Sequence, residues 1–504
     1  KGVAGAYDRA KSYVDQAQNM FDHFTGSSAI PVNTKLASVG VSSRAYLTAV
    51  SIGSSIFSEI TSATYFGAKA RAFSGLSKAG DVGAFVQLLA SPERRALARR
   101  TGFINEQATD GFIRATHDNL RLLSVGERVQ GGMNAFARRL PAATLRAIGL
   151  TPLVQARKRA FRFEFMGALQ DRAGKTLAQL KAGDTEDRVF AQWLEARGFD
   201  EQQWAVIRGT PAWEPQSGLK FLRPMDVADP ELAARLGEAI ELETRFAVPE
   251  TSVWTRAKLL KADRPGTLWG EFKRSWATLR SFTATAGHLY FEEVAMRAYR
   301  PGRPVSTALA LTGEATAALV WLTLAGAVSM QLRELSKGND PLDMTKLEFW
   351  GAAILQSGGM GIFGDFFYAA QARNGKSMSQ VSAYGLPGQF VSDVWNAGPG
   401  NALEIAGDLD EKPLGEAVAD ANAGRDVTTL LRRYTPVSSV WWARAAWNRA
   451  IVDQLQRALD PEADAEFERR RRRLERERGQ TQWWPEGEAI PERAPDLAGV
   501  AGGE

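Results

Sequence analysis

The chain has 504 residues, no cysteine and only three histidines, His23, His117 and His288. Disulfides, thiolate metal sites, iron–sulfur clusters and cysteine nucleophiles are thereby excluded, and histidines this far apart lack the paired spacing of a histidine metal site. The 62 basic and 57 acidic residues leave a net charge of +5, too balanced to indicate nucleic-acid binding by itself, and the length suits roughly two to four domains.

The first residue is Lys1, with no secretory pattern after it, which we read as an excerpt of a longer polypeptide. Residues Ala6 to Phe24 predict an amphipathic helix, with Tyr7, Tyr13, Val14, Ala17, Met20 and Phe21 near one face. Gly26 and Pro31 end it. A long helix is expected from Ser43 past Phe57 toward Ala72, its uncharged middle rich in small hydroxyl residues that allow close helix approach. Three shorter helices are expected between Asp81 and Leu123, one started by Ser91 as cap with Pro92 at the first helical position. From Pro152 onward, Arg157, Lys158, Arg159 and Arg162 alternate with Phe161, Phe163 and Phe165. Such a helix either touches nucleic acid or headgroups, or turns its cations to solvent and its rings to the core.

Asp184 to Asp187 place carboxylates at the start of a helix running to Ala196, and Gly198 stops it. A further turn or two follows at Trp204 to Arg208, then a proline-marked loop. Asp229-Pro230-Glu231 opens a helix to about Phe246. Ala315 to Leu332 then runs 18 residues without a charge, about 27 Å as a helix, close to the hydrocarbon thickness of a bilayer. A second uncharged block spans Phe349 to Gly364. After a connector rich in Gly, Asn and Pro, Ser438 to Leu459 reads as a helix, and Glu466 to Arg478 as a charged one. The tail, with Trp483, Trp484, Pro485, Pro491 and Pro495, lacks a folding pattern and should lie extended over another surface.

No segment alternates with period two for long enough to make a sheet. The expected fold is all-α, an elongated multi-helix assembly with an apolar helical hairpin near 305–372 and an extended C-terminal tail. The expected divisions are 1–130, 131–300, 301–373 (the hairpin), 374–425 (a connector), 426–480 (amphipathic and Arg-rich helices) and 481–504 (the tail).

Catalytic and cofactor motifs fail on context. Gly359, Gly361 and Gly364 match the dinucleotide fingerprint, but a helical apolar run precedes them where a strand is required. Gly174-Lys175-Thr176 and Gly375-Lys376-Ser377 mimic the end of a phosphate loop, but its earlier glycine is replaced by Leu169 and Ala370. No cofactor, metal or catalytic residue is expected, and the segment reads as non-enzymatic. The Arg469 to Arg473 run fits DNA phosphate, anionic lipid or a solvated helix paired with its own glutamates. Trp441, Trp442, Trp447, Trp483 and Trp484 fit interfacial anchors or packing aromatics.

Several ordered blocks carry a family resemblance: AVPETSVWTRAKL with PGTLWGEFKRS (Ala247 to Ser275), LRELSKGNDPLDM (Leu332 to Met344) and FWGAAILQSGGMGIFGDFFY (Phe349 to Tyr368). They continue with Leu430 to Asp464 and with WWPEGEAIPERAPDL (Trp483 to Leu497). In these the chain resembles the C-terminal part of the internal virion, or DNA-ejection, proteins of short-tailed bacteriophages. The resemblance covers about half the chain and contains no catalytic motif. It implies storage in the virion interior, ejection ahead of the genome, and an oligomeric conduit across the host envelope. The implied partners are further copies of itself, other ejection proteins, the portal or tail, viral DNA and the host inner membrane. On that reading Trp321, Leu322, Leu324, Phe363, Phe366 and Phe367 are candidates for membrane or subunit contact, and Arg432, Arg433, Arg469, Arg470 and Arg471 for DNA or headgroups. A virion scaffold or tail-length protein without membrane contact is the alternative, and a muralytic hydrolase segment a further one.

Overall fold

Capping side chains set many helix boundaries in the computed structural model, which describes residues 2–51, 53, 55–76, 140–141, 143–214, 220–250, 253–261, 263–289, 304–356, 392–403 and 423–497. Asp184 accepts from the Asp187 amide at 2.8 Å, Asp200 from the Gln203 amide at 2.8 Å, and Asp229 from the Glu231 amide at 2.9 Å. Thr176 and Gln179 exchange reciprocal bonds as a capping box, so the failed phosphate-loop match ends in helix-capping chemistry.

The fold is all-α: three quarters of the described residues are helical and no strand occurs among them. In order the helices are α1 (Gly2–Thr25), α2 (Thr34–Ser51), α3 (Ser55–Ser74), α4 (Leu150–Asp171), α5 (Leu177–Ala182), α6 (Thr185–Ala196), α7 (Glu201–Arg208) and α8 (Pro230–Ala247). They continue as α9 (Val253–Leu260), α10 (Leu268–Leu289), α11 (Pro304–Ser336), α12 (Leu347–Gln356) and α13 (Ala423–Tyr434). Next, α14 is built from Arg444–Ala446, the π-helical Trp447–Asp453 and Gln454–Leu459, and α15 is Ala463–Arg478. The chain divides into two compact units, one of Lys1–Thr61, Asn119–Leu150 and Thr251–Glu504, the other of Ser62–Asp118 and Thr151–Glu250.

The smaller unit is organised by stacked aromatics. Phe165 lies 4.7 Å from Trp193 between ring centroids, Phe190 lies 5.7 Å from Trp193 and 5.9 Å from Trp204, and Phe161, Phe165, Phe190 and Trp204 are fully buried. The buried indole N–H groups of this cluster have acceptors: Trp204 donates to the Lys175 carbonyl and Trp193 to Glu243, both at 3.0 Å, as a desolvated donor prefers. The cations of α4 divide the labour expected of the basic-aromatic helix differently from a solvent stripe. Arg162 is buried and forks onto Glu241, Lys158 is buried against Glu250, and Arg172 joins Asp187 to the Gly75 carbonyl. Gly75 itself sits at φ 66° with the Glu186 carbonyl where a Cβ would stand, so both its conformation and its neighbours require glycine.

In the larger unit α1 packs on α9, α9 on α10, α2 on α10 and α11 on α12. Arg44 pairs with Glu271, whose carboxylate also accepts from the Gly266 amide at 2.7 Å. His23 lies between Ser28 and the Lys261 carbonyl, at 3.2 and 3.0 Å. Trp441 and Trp442 donate to the carbonyls of Ile148 and Ala147, so both indole N–H groups are used within the chain.

Three expectations need revision. The single helix from Ser43 toward Ala72 is two helices, Thr34–Ser51 and Ser55–Ser74; Gly53, between them, lies so close to the Ser439 carbonyl that no Cβ fits. The helix expected from Ser438 starts at Arg444, since Pro436–Ser439 form a 3-10 turn in which Ser439 donates to the Ala49 carbonyl. Residues 392–403, placed in the connector, are helical, with Pro399 accommodated in a π-helical stretch, Asn396–Gly400. The helices expected between Asp81 and Leu123 lie outside the described residues.

Phe165→Ala should lower the stability of the smaller unit by about 3–5 kcal/mol, through lost burial and the cavity left among the rings. Urea unfolding followed by tryptophan fluorescence checks this.

Candidate interaction surface

Helix α11 is the one helix among the described residues long and apolar enough to cross a membrane, with a mean hydropathy of 1.5 over its most apolar window, of which 31% is buried. Its lower end is anchored. Ala327 and Met330 share an apolar cluster with Phe349 and Ala353 of α12. Gln331 closes the connection by donating to the Leu342 carbonyl and accepting from the Leu342 amide, both at 2.7 Å. Glu334 is buried and accepts from Lys337 at 2.6 Å and Asn339 at 2.8 Å.

Its upper part has little protein around it. Leu319, Val320, Leu324 and Val328 are between 49% and 55% exposed, Trp321 is 44% exposed, and Ala318 is buried. Polar groups on this stretch are satisfied locally: Thr312, Thr316 and Thr323 each donate to the carbonyl four residues back, at 2.8, 2.9 and 2.6 Å. These three internally bonded hydroxyls lower the polar cost of carrying the stretch into an apolar surrounding. Trp321 and Leu324, two of the residues singled out from sequence, are therefore on the exposed stretch. The side chain of Leu322 and the whole of Phe363, Phe366 and Phe367 lie outside the described residues. Leu319, Val320 and Val328 were not singled out, although the charge-free run contained the signal for them.

The five arginines are each engaged within the chain. Arg432 donates to Asp453 at 2.6 Å and Gln456 at 3.2 Å, and Arg433 to Asp393 at 2.7 Å. Arg470 bridges Glu466 at 2.6 Å and Glu486 at 3.1 Å, Arg471 pairs with Glu468, and Arg469 faces Glu462 at 3.7 Å. On α15 this is the glutamate-paired arrangement, with Arg472 and Arg473 also on Glu468 and Glu477.

Below α11 the C-terminal tail is held by charge rather than by apolar pattern. Asp453, fully buried, accepts from Arg432, from Arg449 at 3.2 Å and from the Gly487 amide at 2.9 Å. Arg449 also reaches the carbonyls of Trp484 and Lys337, both at 3.2 Å. Asp340 takes Arg493, Thr481 and the Asp496 amide, while Gln480 donates to the Asp340 carbonyl at 2.6 Å. None of these anchors has a periodic signature, so sequence reasoning missed them. Burial alone would raise the Asp340 carboxyl, but its bonds from Arg493, Thr481 and the Asp496 amide outweigh that and hold it below its ordinary value. Glu486 is likewise lowered, burial being outweighed by Arg449, Arg470 and Arg432.

Compared with protein families, with curated proteins and with solved structures, the chain has no match.

Two predictions follow from the anchored tail. Asp453→Ala should cost about 3–5 kcal/mol, because the buried Arg449 and the half-buried Arg432 both lose their shared carboxylate and the Gly487 amide loses its acceptor, read as a lower midpoint in urea. With Asp340 and Glu486 titrating lower folded than unfolded, the stability they give is complete above the ordinary carboxylate range of about 4 and is lost as pH falls through the folded values. Protease cleavage between residues 480 and 497 should therefore increase as pH falls below about 4, and Arg493→Ala should shift its onset upward.

Proposed function

We propose that this chain is part of a bacteriophage internal virion (DNA-ejection) protein and contributes to an oligomeric conduit that carries the genome across the host cell envelope. The observation that carries the reading is α11. It is an anchored helix whose upper turns present leucine, valine and tryptophan outward, with the hydroxyls of Thr312, Thr316 and Thr323 bonded to its own backbone. The ordered sequence blocks from Ala247 to Leu497 that resemble ejection proteins support the same role, as does the absence of cysteine, which leaves no disulfide to obstruct passage through a narrow tail.

In this reading α11 and the segment after it turn apolar side chains toward lipid or toward neighbouring copies, and the paired arginines of α13 and α15 shape the chain rather than grip DNA as free charges. The segment performs no catalysis; any wall-cleaving activity belongs elsewhere in a longer polypeptide. Helices with mostly local contacts re-form quickly after passage, which suits a protein delivered in an unfolded or partly unfolded state.

Val320→Asp with Leu324→Asp tests the assignment without disturbing the anchored end of α11, because both side chains are exposed. The unmodified chain should release dye from vesicles of bacterial inner-membrane lipid, and the double variant should lose at least tenfold of that activity, a charged residue at mid-bilayer being costly. Equal leakage from the two proteins would remove the membrane assignment and favour the virion scaffold. An apolar photoprobe dissolved in the vesicle lipid should label α11 in the unmodified chain.

A further inference from the structure

Helix α1 is inside out. At 100° per residue, Ala10, Tyr13, Val14, Ala17, Phe21 and Phe24 fall on one stripe about 100° wide, the geometry of a core-facing helix. Yet Tyr13, Val14, Phe21 and Phe24 are between 60% and 73% exposed, and Ala10 and Ala17 are exposed as well. The side that packs on α9 carries Gln16, Asn19 and the buried His23, which bonds to the Lys261 carbonyl just beyond α9. The polar face of α1 is thus the one held by its own chain.

We infer that the outward stripe of α1 pairs with the same stripe of a second copy, in an antiparallel, two-fold symmetric contact centred on Ala17. This rests on the oligomeric conduit proposed above and names one of its contacts. Two features favour a second copy as the occupant. With the small Ala17 at the dyad, the two helices approach closely, and Tyr13 of one copy stands against Phe21 of the other while Ala10 stands against Phe24. Large side chains therefore meet large or fill the space over small ones, and the stripe is complementary to itself. Finally, at roughly 150–250 Å² per fully exposed aromatic, the stripe offers about 500 Å² on each copy, or about 1,000 Å² for the pair, the area at which a specific interface begins.

The absence of native cysteine makes the contact directly testable in the full chain. Mild oxidation of Ala17→Cys should give a covalent dimer, whereas Ser12→Cys, exposed on the opposite side of the same helix, should remain monomeric. Tyr13→Asp with Phe21→Asp should convert the dimer seen by light scattering to monomer while leaving the circular dichroism unchanged, since both side chains are exposed. Equal cross-linking at 12 and 17, a monomeric unmodified chain, or a dimer indifferent to the two aspartates would each overturn the pairing. Loss of vesicle binding in the aspartate variant, with no cross-link at 17, would overturn it in favour of lipid as the occupant. Leakage that persists while Ala17→Cys fails to cross-link would sink the pair and leave the conduit standing; cross-linking at 17 without leakage supports the pair and removes the conduit.

Discussion

The architecture around α11 depends on one buried charge. Asp453 sits in the π-helical part of α14 with no exposed surface and draws in Arg432 from α13, Arg449 from its own helix and the Gly487 amide from the tail. A carboxylate removed from water is tolerated only with its donors in place, so three stretches of chain are fixed by a single requirement. Arg449 extends the constraint, since its remaining donors hold the carbonyls of Trp484 and Lys337. The turn after α11 is thereby tied to the tail through one guanidinium. From there Glu334, Asn339, Gln480 and Gln482 form a buried polar relay beneath the helix.

This polar base lets the upper turns of α11 stand apart. A helix in water normally owes its stability to an apolar face packed on neighbours, and on α11 an apolar cluster forms at the lower end, at Ala327, Met330, Phe349 and Ala353. The charged network carries the rest of the anchoring without using the leucines and valines above it. Those side chains are left available, and the local bonding of the three threonines removes the polar groups that would otherwise keep the stretch in water.

How legible this was in sequence depends on the kind of interaction. Caps are local, and Asp184, Asp229 and Gly198 marked their helix ends correctly. The demand for glycine at position 53 was not legible because the Ser439 carbonyl that leaves no room for a Cβ lies almost 400 residues away. The delayed start of α14 has the same character, since Ser439 is committed to the Ala49 carbonyl. The tail looked patternless because hydrogen bonds from Arg493, Thr481 and Gln480 to the Asp340 region obey no period. On α1 periodicity identified the apolar stripe but not the direction it faces. Amphipathicity tells which residues share a side; only the packing of Gln16, Asn19 and His23 tells which side is inward. A run of Arg and Glu likewise has the same composition whether the charges are paired or free, and only geometry distinguishes them.

Two helices of the larger unit therefore depart from the usual distribution in opposite halves of the sequence. Apolar atoms make up much of any protein surface, and scattered exposed residues need no explanation. Contiguous stripes of leucine, valine and aromatics are different, since soluble monomers rarely carry patches beyond a few hundred Å². The stripe on α1 and the one on α11 differ in chemistry as well as place. The α1 stripe is aromatic, lies on a helix that also carries Lys11 and Asp22, and is short enough to be covered by its own copy. The α11 stripe is aliphatic with a single tryptophan, lies within a charge-free run of 18 residues, and is bounded by Glu314 and Arg333. A surface that pairs protein with protein benefits from flanking charges that fix register, and one that meets hydrocarbon must exclude them. The two helices satisfy these opposite demands separately, so a single chain has the means to hold a neighbour and to meet an apolar phase at the same time.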